Sequence, residues 1–234
     1  MRPTHSAVLD AAASFYADTS ARQFARNKLR YDPVFNTLLR DGCLPARGTL
    51  LDLGCGQGLL LALLSAARGE FEKGAWPADW PQPPQLALQG IEIDAARAAV
   101  ARQALQGRAT ITACDVRDAV LPACSVVVLF DVLMYLPEHD QIKVLEKAVA
   151  ALEPGGRLLM REANAGAGLA FRVTRWSERL LEITRGHWSD RLHYRSESQW
   201  TALLTGMGLS VTTAGMSAGT PFANVLFVCT KSKG

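Results

Sequence analysis

The chain is short of nearly every feature that settles a protein's class at a glance. Its five cysteines (Cys43, Cys55, Cys114, Cys124 and Cys229) are scattered, odd in number and free of any C-x-x-C pair. That spacing argues against a bound metal and against a disulfide framework, and favours a reduced intracellular protein. No apolar run approaches the ~20 residues of a membrane span. The longest, Val126 to Leu136, is broken by Asp131. The N-terminus lacks a long apolar core and carries Asp10 and Asp18, unlike a signal peptide. A cytoplasmic protein with no membrane partner is the expectation. Charge of one sign is scarce as well: the net charge is +3 with 20% charged residues, too mild to imply a nucleic-acid partner. Internal repeats and low-complexity tracts are missing. What remains, 234 residues at 49% hydrophobic, suits one globular domain with a full core.

The densest information lies in Leu51-Asp52-Leu53-Gly54-Cys55-Gly56-Gln57-Gly58. A short apolar strand (Thr49 to Leu53) runs into three glycines on alternate positions, and an apolar helix follows from Leu59. A strand feeding a glycine turn and then a helix is how open α/β sheets hold an adenosine-type ligand. The glycines allow close approach of that ligand, and the first N–H groups of the helix can hold a carboxylate or phosphate. A dinucleotide fingerprint would read G-x-G-x-x-G with an acidic residue roughly 20 positions on. Here the spacing is G-x-G-x-G, and the next acidic strand ends are Glu92, Asp115 and Asp131.

Periodicity predicts helices over Ala7 to Tyr16, Ala21 to Leu29 and Val34 to Arg40, then strands over Leu86 to Ile93, Ala109 to Cys114, Ser125 to Phe130 and Arg157 to Arg161. Helices over Ala95 to Leu105 and Glu138 to Leu152 alternate with them, which implies a parallel, doubly wound sheet. Pro154-Gly155-Gly156 is read as the turn before the fifth strand. The chain closes with a helix (Glu197 to Thr205) and two strands, Leu209 to Ala214 and Asn224 to Thr230, expected as an antiparallel hairpin at the sheet edge. Gly74 to Pro84 carries Trp76, Trp80 and several prolines; it is expected to be a loop pinned on the outside of the sheet, with a partner or substrate contact as the sharper alternative.

Asp52-x-Gly54-x-Gly56-x-Gly58, Glu92, Asp115, Asp131 and Pro154-Gly155-Gly156, in that order, resemble the class I S-adenosylmethionine-dependent methyltransferases. The resemblance is dense over about residues 48–160 and architectural elsewhere. It implies a Rossmann-like, doubly wound seven-stranded sheet. Four segments would follow: an N-terminal helical cap (1–45), a cofactor-binding core (46–162), a substrate lid insert (163–196), and a C-terminal helix and hairpin (197–234). Scattered phrases (Lys28-Leu29-Arg30, Trp76-Pro77 and Pro221-Phe222-Ala223-Asn224) are similar to methyltransferases of aryl-polyene and pigment clusters.

By that resemblance the cofactor is S-adenosylmethionine. Asp52 would meet its ammonium and backbone N–H groups of Gly54, Cys55, Gly56 and Gly58 its carboxylate; Lys28 or Arg30 could reach that carboxylate too. Glu92 would accept from both ribose hydroxyls, since a carboxylate offers two oxygens. Asp115 would take the adenine N6 hydrogens beside Cys114 and the Val116 N–H, Ile93 and Val132 would sandwich the ring, and Asp131 would face the methionine part. Asp94 reads as a helix cap and Cys55 as a small spacer.

The catalytic side is thinner. Many small-molecule members carry a histidine where Met134 stands, and Tyr135 reads as core. Candidate bases are His187, His193 and Tyr194, because an imidazole titrates near neutral pH. The arginines of the insert, Arg172, Arg175 and Arg179 among them, suit a carboxylate or an acidic carrier protein. The expected partners are therefore a small-molecule acceptor, aromatic or carboxylate-bearing, free or bound to an acyl carrier protein, and a second copy of the chain in a homodimer. No metal is called for. Three alternatives stay open. A nucleic-acid methyltransferase would carry D/N-P-P-Y/F where Asp131-Val132-Leu133-Met134 stands. A nicotinamide oxidoreductase is opposed by the glycine spacing. A non-catalytic adenosylmethionine-binding subunit fits the missing histidine.

Overall fold

Strand β1 (Arg47–Leu53) changes from exposed to buried along its length, and its last four residues, Leu50 to Leu53, are covered on both faces. That burial profile is what a strand in the middle of a parallel sheet requires. The computed structural model describes residues 3–167, 192–217 and 223–233. Besides β1 its sheet holds β2 (Gln85–Glu92), β3 (Ala109–Ala113), β4 (Cys124–Phe130), β5 (Leu152–Ala163), β6 (Leu209–Gly215) and β7 (Asn224–Lys231). The order across the sheet is β3-β2-β1-β4-β5-β7-β6. Strands β1 to β5 pair in parallel, and β7 enters antiparallel between β5 and β6. The expected seven-stranded Rossmann-like sheet with a C-terminal hairpin is present.

Alternate residues of the central strands feed two cores. Leu50, Val126, Val128 and Leu159 face one layer, built by α1 (Pro3–Ser14), α2 (Thr19–Tyr31), α3 (Pro33–Arg40), α4 (Leu59–Glu72) and α5 (Ala95–Ala104). Leu51, Leu53, Val127 and Leu129 face the other, built by α6 (Glu138–Ala151) and α7 (Glu197–Gly206), where Trp200 is buried. Trp76 and Trp80 meet edge to face at 5.5 Å, pack against the first core, and the Trp76 indole N–H donates to the Pro81 carbonyl at 3.0 Å. The proline-rich loop is thus pinned to the body of the protein. Among the described residues no helix is long and apolar enough to cross a membrane.

Two local rules shape the N-terminal helices. Asp18 caps α2 by accepting from the Ala21 N–H at 2.8 Å, and Asp32 both ends α2 and caps α3 by accepting from the Val34 N–H at 3.2 Å, with Pro33 in the first turn. Strand β5 departs from its expected bounds. Leu152 already pairs with Cys124, and Arg157 pairs with Val126, so the Pro154-Gly155-Gly156 turn is looped out within one strand rather than preceding it. At its other end β5 runs on through Arg161 and Glu162, which are 3% and 2% exposed and belong to the buried sheet, not to a cationic lid. The expected lid residues Arg172, Arg175, Arg179 and His187 lie outside the described residues.

The glycine turn rests directly on β2. A Cβ at Gly90 would come within 2.7 Å of the Cys55 sulfur and 2.9 Å of Ile111 Cδ1. Gly90→Ala is expected to lower stability by about 1–3 kcal/mol through overpacking. Denaturant unfolding would read this, and an unchanged midpoint would contradict the close seating of Cys55 on β2.

Candidate active site

The strand order reverses between β1 and β4, and a crevice opens beyond the carboxyl ends of these neighbours. The glycine turn forms its floor. Gly54 has a φ of 78°, and a Cβ there would collide with Val132. Gly56 has a φ of 57°, and a Cβ there would meet no heavy atom within 4 Å, so its bare side faces open cleft. Adding a side chain at Gly56 would fill ligand space and strain the backbone. The hydroxyl of buried Tyr16, at the end of the first helix, donates to the Gln57 carbonyl at 2.9 Å and ties the helical cap to the turn. Nothing in the sequence marks Tyr16 for this; its partner is 41 residues away.

Counting donors corrects one expectation. The N–H groups of Gly54 and Cys55 both donate to the Ile91 carbonyl, at 2.7 and 3.0 Å; that of Gly56 donates to Glu92 Oε2 at 2.7 Å, and that of Gly58 to the Cys55 carbonyl at 2.8 Å. These four are spent inside the fold and are not free for a ligand carboxylate. Donors left to one include the opening N–H groups of α4, which Gly58 caps without a side chain, at Leu59 and Leu60 in the cleft wall. Cys55 is buried, and burial first, then Asp52 and Glu92, push its thiol pKa far up. It is packing material, not a thiolate nucleophile.

The cleft has two halves that share Gly54, Arg97 and Asp131. The larger, of about 690 Å³, has Ile93, Val116, Val132 and Leu136 as apolar wall and Glu92 and Asp115 as acceptors. Glu92 is 5% exposed and accepts from Gly56 N–H through Oε2 and from Asp94 N–H through Oε1, at 2.7 and 2.9 Å. A carboxylate has about four acceptor sites, so two remain, which matches a pair of ribose hydroxyls. Asp115 differs. Arg117 donates to it from its backbone N–H, from Nε to both oxygens, and from Nη2 at 2.6 Å. Three N–H groups thus occupy it, that of Nε shared between both oxygens, which leaves about one acceptor site for an adenine amine. Cys114 is spent on local contacts, its backbone N–H donating to the Glu92 carbonyl, and does not line the cleft. Tyr135 is 41% exposed and lines this half rather than the core, because the chain turns through a short 3-10 segment, Leu133–Tyr135, after β4. Asp94 caps α5, accepting from Ala96 and Arg97 N–H groups.

The smaller half, of about 370 Å³, is walled by Phe24, Phe35 and Phe130 and reached by Asp52, Gln57, Lys28 and Arg161. Asp52 is 5% exposed; burial first, then the Glu92 carboxylate, push its pKa up to about 7. Gln57 Oε1 is buried and has no hydrogen-bond partner. A buried carboxylate and an orphaned amide oxygen beside it suit a cationic, hydrogen-bond-donating ligand group, and an amino acid ammonium is such a group. A sulfonium nucleoside carrying an amino acid therefore fits the donors and acceptors present. Lys28 lies in this wall, paired with Asp32 at 2.8 Å; Arg30 sits on the exposed side of α2, over the Tyr31 ring, and does not line the cleft.

Of the catalytic candidates, His193 and Tyr194 are half-buried, and His187 lies outside the described residues. The His193 N–H donates to the Met134 carbonyl at 2.8 Å, and the amide of fully buried Gln141 holds the carbonyls of Leu133, Leu136 and His193. This fastens the segment to the turn after β4, yet neither side chain lines either half of the cleft.

The Asp52 shift has a sign that can be tested. Binding a cation draws on the ionised carboxylate, so affinity for S-adenosylmethionine is expected to be level above pH 7 and to drop as pH falls through about 7, by up to about tenfold per pH unit. In the ligand-free fold the same shift opposes stability: between the ordinary value of 3.8 and about 7 the folded protein binds a proton the unfolded chain lacks, so stability declines as pH rises through that window. Calorimetric titration across this range, with Asp52→Asn as the flat control, checks the first point; affinity indifferent to pH in the native protein would contradict it.

Comparison with known proteins bears on the family and the fold. Residues 21–214 match the methyltransferase domain family. A carboxy-S-adenosyl-L-methionine synthase from Psychrobacter arcticus is 34% identical over 119 residues, 48% of this chain and 40% of that protein, so the match spans well under half the length of that relative. Among solved structures, an O-methyltransferase family protein from Burkholderia thailandensis superposes with a TM-score of 0.63 at 22% identity, covering 94% of this chain and 62% of the other. Magnesium protoporphyrin IX methyltransferase from Synechocystis PCC 6803 with bound SAH gives 0.61 at 19% identity, covering 95% and 94%. These two similarities speak to the fold. With the family match over most of its length, the chain belongs to the methyltransferase domain family and is of the class I, S-adenosylmethionine-dependent type.

Proposed function

We propose that the protein transfers a methyl group from S-adenosylmethionine to a small molecule bearing an aromatic or carboxylate group, free or carried on an acyl carrier protein. The cofactor, when bound, supplies an electrophilic methyl on sulfur. The chain's part is to hold, orient and exclude water. Glu92 offers its two remaining acceptor sites to the ribose. Asp52 and the Gln57 amide oxygen take the ammonium, and the first turn of α4, with Lys28, takes the carboxylate. Ile93, Val116 and Val132 give the base an apolar slot.

The observation that carries the acceptor class is the turn after β4. Met134 is 2% exposed, so the position where a histidine would stand cannot present a base to the cleft. An acceptor that must lose a proton during transfer needs one. An ionised carboxylate or an acidic phenol does not: it arrives as the nucleophile. The aromatic wall of Phe24, Phe35 and Phe130 suits the ring of such an acceptor. Where the acceptor carries a proton, His187 is the base candidate to test, since the side chains of His193 and Tyr194 do not line the cleft. We assign the segments 1–45, 46–162, 163–196 and 197–234 as cap, core, substrate lid and closing hairpin of one domain, acting in the cytoplasm, alone or as a homodimer.

The test is transfer of label from methyl-labelled S-adenosylmethionine to a panel of free aromatic acids and phenols, the same acids on an acyl carrier protein, and RNA and DNA. Label is expected on an aromatic acid or its carrier-bound form. Label on nucleic acid alone would overturn the reading, and tight cofactor binding with no transfer to any member would favour a non-catalytic subunit.

A further inference from the structure

Arg161 closes β5 beside the glycine turn and is 3% exposed. Its guanidinium has five donors in a planar fork. Nε donates to Asp131 Oδ1 at 3.0 Å and Nη2 to Asp131 Oδ2, while Nη1 donates to Asp32 Oδ1 at 2.5 Å. Its face rests over the Phe130 ring at 5.5 Å. The two carboxylates come from opposite sides of the site. Asp131 follows β4 and lines both halves of the cleft. Asp32 is the joint between α2 and α3, and Lys28 on α2 pairs with its other oxygen. Arg161 and Asp32 lie 129 residues apart in sequence.

Asp131 has a φ of 58°, the one positive value at a non-glycine among the described residues. Aspartate reaches that region more readily than most residues with a side chain, but it is sparsely populated and is kept when the surroundings hold it. Here they do: the Asp131 N–H donates to the Arg161 carbonyl at 3.0 Å while its carboxylate is gripped by the same residue's fork. Separating either carboxylate from a guanidinium this deeply placed would leave buried N–H donors without a partner. Lifting the N-terminal helices from the sheet breaks the Asp32 arm of this bridge, and turning Asp131 breaks the other.

The geometry points to Arg161 as a positioning residue that couples the seating of the N-terminal helices, through Asp32, to the shape of the cofactor cleft, through Asp131. It acts through these neighbours, and through Phe24 and Lys28 of α2 in the cleft wall, not on the reacting atoms. The inference rests on the reading of the cleft as the S-adenosylmethionine site.

Hydrogen exchange on the full-length chain, with and without S-adenosylmethionine, tests it together with calorimetry. Asp32→Asn removes the charge but keeps a good helix cap for α3. Arg161→Lys is the second variant: a single ammonium cannot grip both carboxylates, and it carries the test if Asp32→Asn fails to fold. In the native protein the cofactor is expected to slow exchange over residues 19–40. Each variant is expected to exchange faster there while β1 and β4 stay protected, to lose that cofactor-dependent slowing, and to bind the cofactor about tenfold or more weakly. A folded variant whose affinity stays within about twofold of native overturns the coupling. So does exchange that rises evenly through the sheet, which would mark plain destabilisation. If the native chain fails to bind the cofactor, the cofactor reading falls, and exchange of residues 19–40 in the ligand-free variants still decides whether the bridge holds the cap.

Discussion

The structure depends on one electrostatic constraint: carboxylates brought close together, out of solvent, beside a glycine-rich bend. Asp52 ends β1 and Glu92 ends β2, neighbouring strands in register. Both are buried, and Glu92 is held there by N–H groups of Gly56 and Asp94. Burial and that neighbour raise Asp52 to about 7. Such a site is unfavourable on its own and becomes favourable when a cation enters. Binding and function follow from the same feature: the fold keeps an acceptor-rich crevice whose natural complement is a positively charged nucleoside.

The remaining parts serve to hold that crevice in shape. From the helical cap, Tyr16 binds the glycine turn and Asp32 binds Arg161. From the far side, Glu162 accepts from the Leu133 N–H at 2.9 Å, and Gln141 gathers the turn after β4 and the segment around His193. These contacts are polar and at least part-buried, and most join residues distant in sequence. Each ties a loop at the carboxyl edge of the sheet to something rigid. The cleft is thus walled by loops, yet its walls are anchored to strands and helices.

Much of this was legible in the sequence, and the boundary is physical. Strand positions, their alternation with helices, and the glycine turn follow from periodicity and from backbone freedom, which are local. Glu92 is legible near a strand end because Asp94, two residues on, caps the next helix. Partner choice is not local. That Arg117 occupies Asp115, that Arg161 reaches Asp32, and that the turn's own N–H groups are consumed by Ile91 and Glu92 depend on which ends of which strands meet. A helix from Val34 follows from periodicity; that the Asp32 carboxylate caps it and also holds a buried guanidinium does not. Tyr135 read as core because an apolar run surrounds it, and the short 3-10 turn after β4 swings it into the cleft instead. Pro154-Gly155-Gly156 reads locally as the turn before the fifth strand; that Leu152 already pairs with Cys124 upstream of it depends on the neighbouring strand.

The most direct test is calorimetric titration of the purified chain at neutral pH with S-adenosylmethionine, its demethylated product and NAD in parallel. The account predicts saturable binding of the sulfonium compound and of its product, which keeps the ammonium and both ribose hydroxyls, with no heat from NAD. Uptake of NAD with indifference to the two adenosyl compounds would contradict it.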